Sequence, residues 1–195
     1  QINQTRFKQP NQVVIHFGAI QAQDYASAKW AIGLRCRDAT DAIIEQAISN
    51  KTIVRSWLMR GTLQFVAASD LRWMLALLGP RLIDQSARRY RQLDLDEAIF
   101  AHCDEALTMA LQNSEPLTRA EILDALNQAG VYIDGQRGYH ILRRAGLAGL
   151  ICFGPMQDKQ ETFVLLDDWL PPGKAMNRDK ALAELATRYF NSHGP

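Results

Sequence analysis

A chain of 195 residues makes one large domain or two small ones, and 47% apolar with 22% charged residues is ordinary globular composition. The formal net charge of +1 gives no global case for nucleic acid or a membrane, and the 3 cysteines, far apart and with no C-x-x-C pair, indicate neither a disulfide framework nor a cysteine zinc site. That total hides a basic front and an acidic middle: residues 1–92 carry 13 Lys/Arg against 6 Asp/Glu, and residues 93–133 carry 1 against 8. A basic front can supply a phosphate-facing surface.

Pro10 opens a short buried helix over residues 10–20 (PNQVVIHFGAI). It runs into Gln21-Ala22-Gln23-Asp24. If the backbone there is extended, Gln21 and Gln23 point to one side and present two neutral amides, each with an acceptor and a donor. Such a pair can hold a water or grip a base edge; on composition alone, a surface turn with two solvated glutamines is the plainer reading. Asp24 then caps a helix over 24–34, with Ala28, Ala31 and Ile32 on one side. A third helix opens at Ala39-Thr40-Asp41 and reaches about Asn50, with Ala42, Ile43, Ala47 and Ile48 as its apolar stripe. Two strands follow, Ile53–Trp57 and Thr62–Ala67, broken at Arg60-Gly61. Three short helices and a hairpin are the order of a winged helix, a relative of the helix-turn-helix.

Ser69 starts a helix to Leu78, and Gly79-Pro80 ends it and starts another that carries Arg81, Arg88, Arg89 and Arg91. A helix over about Leu95–Gln112 holds most of the acidic block, read as a solvated face. The early pattern then returns. Thr118 and Glu121 form a capping box for a helix that stops at Gly130. A second helix spans 136–147, and a second hairpin pairs 150–153 with 162–166. From Asp179 an amphipathic helix reaches about Phe190. The expected organisation is therefore mainly α with small β-hairpins: a winged-helix unit at 1–68, a helical connector at 69–113, a second unit at 114–173, and the start of a third at 174–195.

Five stretches together resemble the AlkZ/YcaQ family of bacterial winged-helix DNA glycosylases: GAIQAQD at 18–24, MRGTLQFV at 59–66, DLRWMLALLGPR at 70–81, GYHILRRAGLAGLICFGP at 138–155 and LATRYFNSHGP at 185–195. The resemblance covers nearly the whole chain in order. It implies tandem winged helices around a DNA-binding concavity, and excision or unhooking of alkylated or crosslinked bases in double-stranded DNA. It implies that a Q-x-Q motif, here Gln21 and Gln23, carries catalysis. Gln64 departs from the family's frequent T-L-H, and family chains continue beyond the HGP stretch. The expectation is a cytoplasmic monomer without cofactor or metal.

The candidate DNA contacts are Arg55 and Arg60 on the first wing, and Arg137, His140, Arg143 and Arg144 at the second unit's recognition-helix position. Each has a plainer reading: a solvated hairpin arginine, a salt-bridged helix face, or for His140 a satisfied buried histidine. Trp30, Trp57, Trp73 and Trp169 read as core. The rival function is a non-catalytic winged-helix regulator, which needs no paired glutamines.

Overall fold

A computed structural model describes residues 7–173 and 176–194. Parts of the expected end units at 1–6, 174–175 and 195 lie outside the described residues. Helices dominate, and the strands form one small antiparallel sheet.

Helix α1 (Pro10–Phe17) ends three residues before the sequence suggests. Gly18 takes φ 78, a left-handed turn that an L side chain adopts only with strain, and redirects the chain. Ile20–Gln21 then forms strand β1. Asp24 caps α2 (Tyr25–Gly33), accepting the Ser27 N–H, and Thr40 caps α3 (Asp41–Ser49). The buried stripe of α3 is Ile44 and Ile48 with Ala47 packed beside them; Ala42 and Ile43 are exposed, which corrects the first half of the expected stripe. Strands β2 (Ile53–Trp57) and β3 (Leu63–Ala67) make the first hairpin, with a tight 3-10 turn at Met59–Gly61.

The expected break at Gly79-Pro80 is absent. Helix α4 runs unbroken over Ala68–Gln85. Proline costs one hydrogen bond and crowds the preceding turn. Here Gly79 offsets that by close packing: a Cβ on it would sit 2.3 Å from the Leu147 carbonyl oxygen of helix α8 (Arg137–Ala148). Between these two lie α5 (Ala87–Gln92), α6 (Glu97–Leu111), strand β4 (Leu117–Thr118) and α7 (Arg119–Gln128). The capping box at α7 forms as its residues suggest, with Glu121 accepting the Thr118 N–H at 2.7 Å. After α8 come β5 (Ile151–Phe153), β6 (Thr162–Leu165), the short α9 (Leu166–Trp169) and α10 (Arg178–His193).

The order of helices then hairpin occurs twice, and the two hairpins are not separate. They join edge to edge through Arg55 opposite Phe153, giving one sheet in the order β1-β3-β2-β5-β6-β4. Alternation along β2 and β3 divides the core. Ile53 and Phe65 face α1–α3, while Val54 and Val66 face α4. A third cluster gathers α6, α7, α8 and the second hairpin around Phe100, Leu107, Ile141 and Phe163, and takes in Trp57 from the first hairpin. Trp57 and Trp73 are buried as expected. Trp169 is half-buried under the Lys51 ammonium at 4.1 Å. Trp30 is 68% exposed, which corrects its assignment to the core.

Candidate active site and nucleic-acid interface

β1 pairs with β3 so that Gln21 lies directly opposite Gln64. Ser56 of β2 is opposite Gln64 in turn. Register partners share a face, so these three polar side chains form a row across three strands. Gln21 is exposed, Gln64 is buried with 4% exposure, and Ser56 is fully buried with a hydroxyl that has no hydrogen-bond partner among the described residues. The Gln64 amide donates to Thr62 Oγ1 at 2.8 Å.

The row opens into a cleft of 710 Å3 between the first hairpin, the end of α1 and α10. Gln21, Gln64, Met59 and Arg60 form one wall; Phe17, Leu182, Leu185, Tyr189, Phe190 and His193 form the other. Among the described residues, no carboxylate lines it. Tyr189 and Phe190 are 55% and 60% exposed, and the His193 ring stacks on Tyr189 at 4.7 Å between centroids. Asp70 of α4 holds α10 in place by pairing with Arg188 at 2.5 Å, and Glu184, one turn earlier on α10, pairs with the same guanidinium at 2.7 Å.

Gln23 is exposed and, with buried Ala22 between, follows the alternation of an extended segment. It is not among the residues lining the cleft. Its side-chain amide oxygen, Oε1, accepts the Leu63 N–H at 3.5 Å, the outer limit of a hydrogen bond. The Ser27 N–H holds the neighbouring Asp24 carboxyl below its ordinary range, so it remains ionised. Burial and the hydrogen bond to Glu45 push the Tyr25 phenol up.

The expected DNA-facing side chains divide by what already holds them. Arg60 is exposed at the hairpin tip, lines the cleft, and makes no hydrogen bond or ion pair among the described residues. Arg55 is buried, bound to the Ala22 carbonyl and to Glu161. Arg137 donates to the Leu93, Asp94 and Tyr132 carbonyls and so fastens the turn before α6 to α8. Arg143 donates to the Gly61 carbonyl at 3.3 Å and Ser86 Oγ at 2.9 Å, which ties α8 to the first hairpin tip. Arg144 bridges Glu97 and Asp104, so part of the acidic block serves an internal ion pair rather than a plain solvated face. His140 is half-buried beside Tyr90, and burial is the first cause of its lowered pKa, with the Arg143 and Arg89 charges adding to it. Arg88 and Arg91 are exposed, whereas Arg89 donates to the amides of Gln92 and Gln136.

The chain therefore brings Gln21, Gln64 and Arg60 together and keeps Arg137 and Arg144 for internal contacts. Sequence reading missed the second wall of the cleft. One signal for it existed: adjacent aromatics at 189 and 190 cannot both face inward on one helix.

A family model described as "DNA glycosylase AlkZ-like" matches residues 14–195. The chain belongs to the AlkZ-like DNA glycosylase family. It is 23% identical over 201 residues to an interstrand DNA cross-link repair glycosylase from Streptomyces sahachiroi, covering 94% of this chain and 51% of that protein. The solved structure of Streptomyces sahachiroi DNA glycosylase AlkZ superposes with a TM-score of 0.75 at 20% identity, over 100% of this chain and 54% of that one. The chain thus spans about half the length of the relatives it matches. For the AlkZ-like chain, no helix among the described residues is long and apolar enough to cross a membrane, and no three His, Cys, Asp or Glu gather where a metal would be held.

Proposed function

We propose that this AlkZ-like chain carries the catalytic half of a DNA glycosylase, built on two winged-helix units, that hydrolyses the N-glycosidic bond of cationic alkylated purines, including those within interstrand crosslinks. One observation carries the reading: a carboxamide, Gln21, faces an open cleft whose lining, among the described residues, holds amides, one arginine and aromatic rings but no carboxylate. An N7- or N3-alkylated purine is already positive. When its glycosidic bond breaks, the electron pair goes to the base, which leaves neutral and needs no general acid. What remains is to place a water near the anomeric carbon and to face the developing sugar cation with oriented dipoles. Amide carbonyls can do both: Gln21 offers one within the cleft, and Gln23, just outside its lining, is the second. An amide takes no proton at neutral pH, so the proton of the attacking water passes to solvent. The chemistry therefore selects destabilised, cationic lesions and spares intact bases. A cleft open on one side also suits a bulky crosslink better than a closed pocket that demands full extrusion of the nucleotide.

The reading is tested with the full chain and duplex DNA carrying N7-methylguanine. Gln21→Ala and Gln23→Ala are expected to lower abasic-site formation by about 10²-fold while DNA affinity stays within about twofold. Wild-type protein that releases no cationic base from any such duplex would leave only a DNA-binding scaffold.

A further inference from the structure

Arg55 is the middle residue of β2 and 4% exposed. A guanidinium that deep in a protein is costly unless its donors are met. Three partners meet them. Nε donates to the Ala22 carbonyl at 3.0 Å, Nη1 meets Glu161 Oε1 at 2.5 Å, and Nη2 reaches the Gln23 carbonyl at 3.5 Å. The Tyr25 and Phe153 rings flank the group, with centroids 5.5 and 5.0 Å away. Two of the partners are thus the backbone of the Gln21-x-Gln23 segment. The third is a carboxylate from the second hairpin, 106 residues further along the chain.

The segment needs such an anchor. β1 is only two residues long, and the Gln23 carboxamide is tied by one contact at 3.5 Å. Where the carboxamides aim is therefore decided by where the backbone sits. We propose that Arg55 is a positioning residue for the glutamine pair, and that Glu161 makes its placement depend on the second hairpin. The proposal rests on the reading of Gln21 and Gln23 as the water-holding pair. It explains why an arginine on a wing strand faces inward: it couples the position of one hairpin to the aim of side chains held by the other. A misplacement of about 1 Å at a reacting centre can cost about 10²-fold in rate, so a clamp on two carbonyls has leverage.

The test uses E161Q and R55K in the full chain. Glu161 keeps 35% side-chain exposure, so its loss leaves the core intact. Two quantities are read: backbone amide exchange at residues 19–24, and single-turnover base release beside DNA affinity. E161Q is expected to speed exchange at Ala22 and Gln23 several-fold and to slow release about tenfold, with affinity unchanged. R55K is expected to do more, because an ammonium cannot serve the carbonyls and the carboxylate in one planar fork. The double variant is expected to match R55K alone, since both act through one contact. A contact that served only folding would lower the melting temperature and leave exchange at 22–23 and release untouched in both variants, which overturns the proposal. If Q21A and Q23A retain wild-type release, the parent reading fails by itself, and the exchange measurement still decides whether the clamp exists.

Discussion

Arg144 sits between Glu97 at 2.9 Å and Asp104 at 3.1 Å, with its guanidinium 4.3 Å from the Phe100 ring centre. Burial raises the Asp104 carboxyl above its ordinary range, and the Arg144 charge pulls it back. Arg144→Met strands that carboxylate and is expected to lower unfolding free energy by about 1–3 kcal/mol in a denaturant titration. Because the side chain faces α6, the salt dependence of DNA affinity should not change. Arg60 reverses both outcomes. Exposed and unpaired among the described residues, it bears no internal contact, so Arg60→Ala should alter stability by less than about 0.5 kcal/mol. If Arg60 meets a phosphate, the slope of log affinity against log salt becomes shallower by about 0.9. His140 carries a different signature. Burial, then the Arg143 and Arg89 charges, hold its folded pKa below the ordinary value of 6.5. The unfolded chain takes up that proton first, so stability falls as pH drops below about 6.5. Melting scans from about pH 7 to 5.5 should show the decline, and His140→Gln should lose this part of it.

Among the elements, the contact of α4 with α8 is the tightest place for a test. With Leu147 O only 2.3 Å from where a Cβ would lie, Gly79→Ala must push backbone against backbone. The expected loss is about 1–3 kcal/mol, read as a shift in the denaturation midpoint at constant slope. The same contact shows where sequence reading stops. Gly79-Pro80 is a correct local signal for a helix end, and it is overruled by packing against a helix nearly 70 residues away, which no local pattern contains. The end of α1 fails in the other direction: the apolar run continues to Ile20, but Gly18 turns the chain and hands Ile20 to the sheet. Signals that act within four residues were legible. Asp24, Thr40 and Thr118 cap helices through side-chain oxygens, and the strand pairs 53–57 and 62–67 follow their β-branched and aromatic content closely.

At the scale of the molecule, the two hairpins share one sheet and Trp57 of the first packs on Phe153 and Phe163 of the second. Unfolding is therefore expected as one transition, with tryptophan fluorescence and far-ultraviolet circular dichroism coinciding; two separated transitions would show that the repeats fold independently. The candidate site was legible only in part for the same reason. Gln21 and Gln23 stand out as a pair in the chain, but the face-to-face placement of Gln21 and Gln64 depends on a strand register spanning 43 positions. Arg55 reads as a wing arginine because the pattern of the hairpin is local, while its partner Glu161 belongs to the other repeat.

Arg60 also has φ 57, the left-handed region, where a side chain costs roughly 1–2 kcal/mol. Glycine would relieve that cost but add freedom to the unfolded chain worth about 0.4–1 kcal/mol, so the balance favours glycine modestly. Among residues with a side chain, folding discriminates little at this exposed hairpin tip. Under the proposed reading of Arg60 as a DNA contact, exchanging one side chain for another there changes charge at little cost in folding, and position 60 would act as a dial for how long the molecule lingers on each stretch of duplex it inspects.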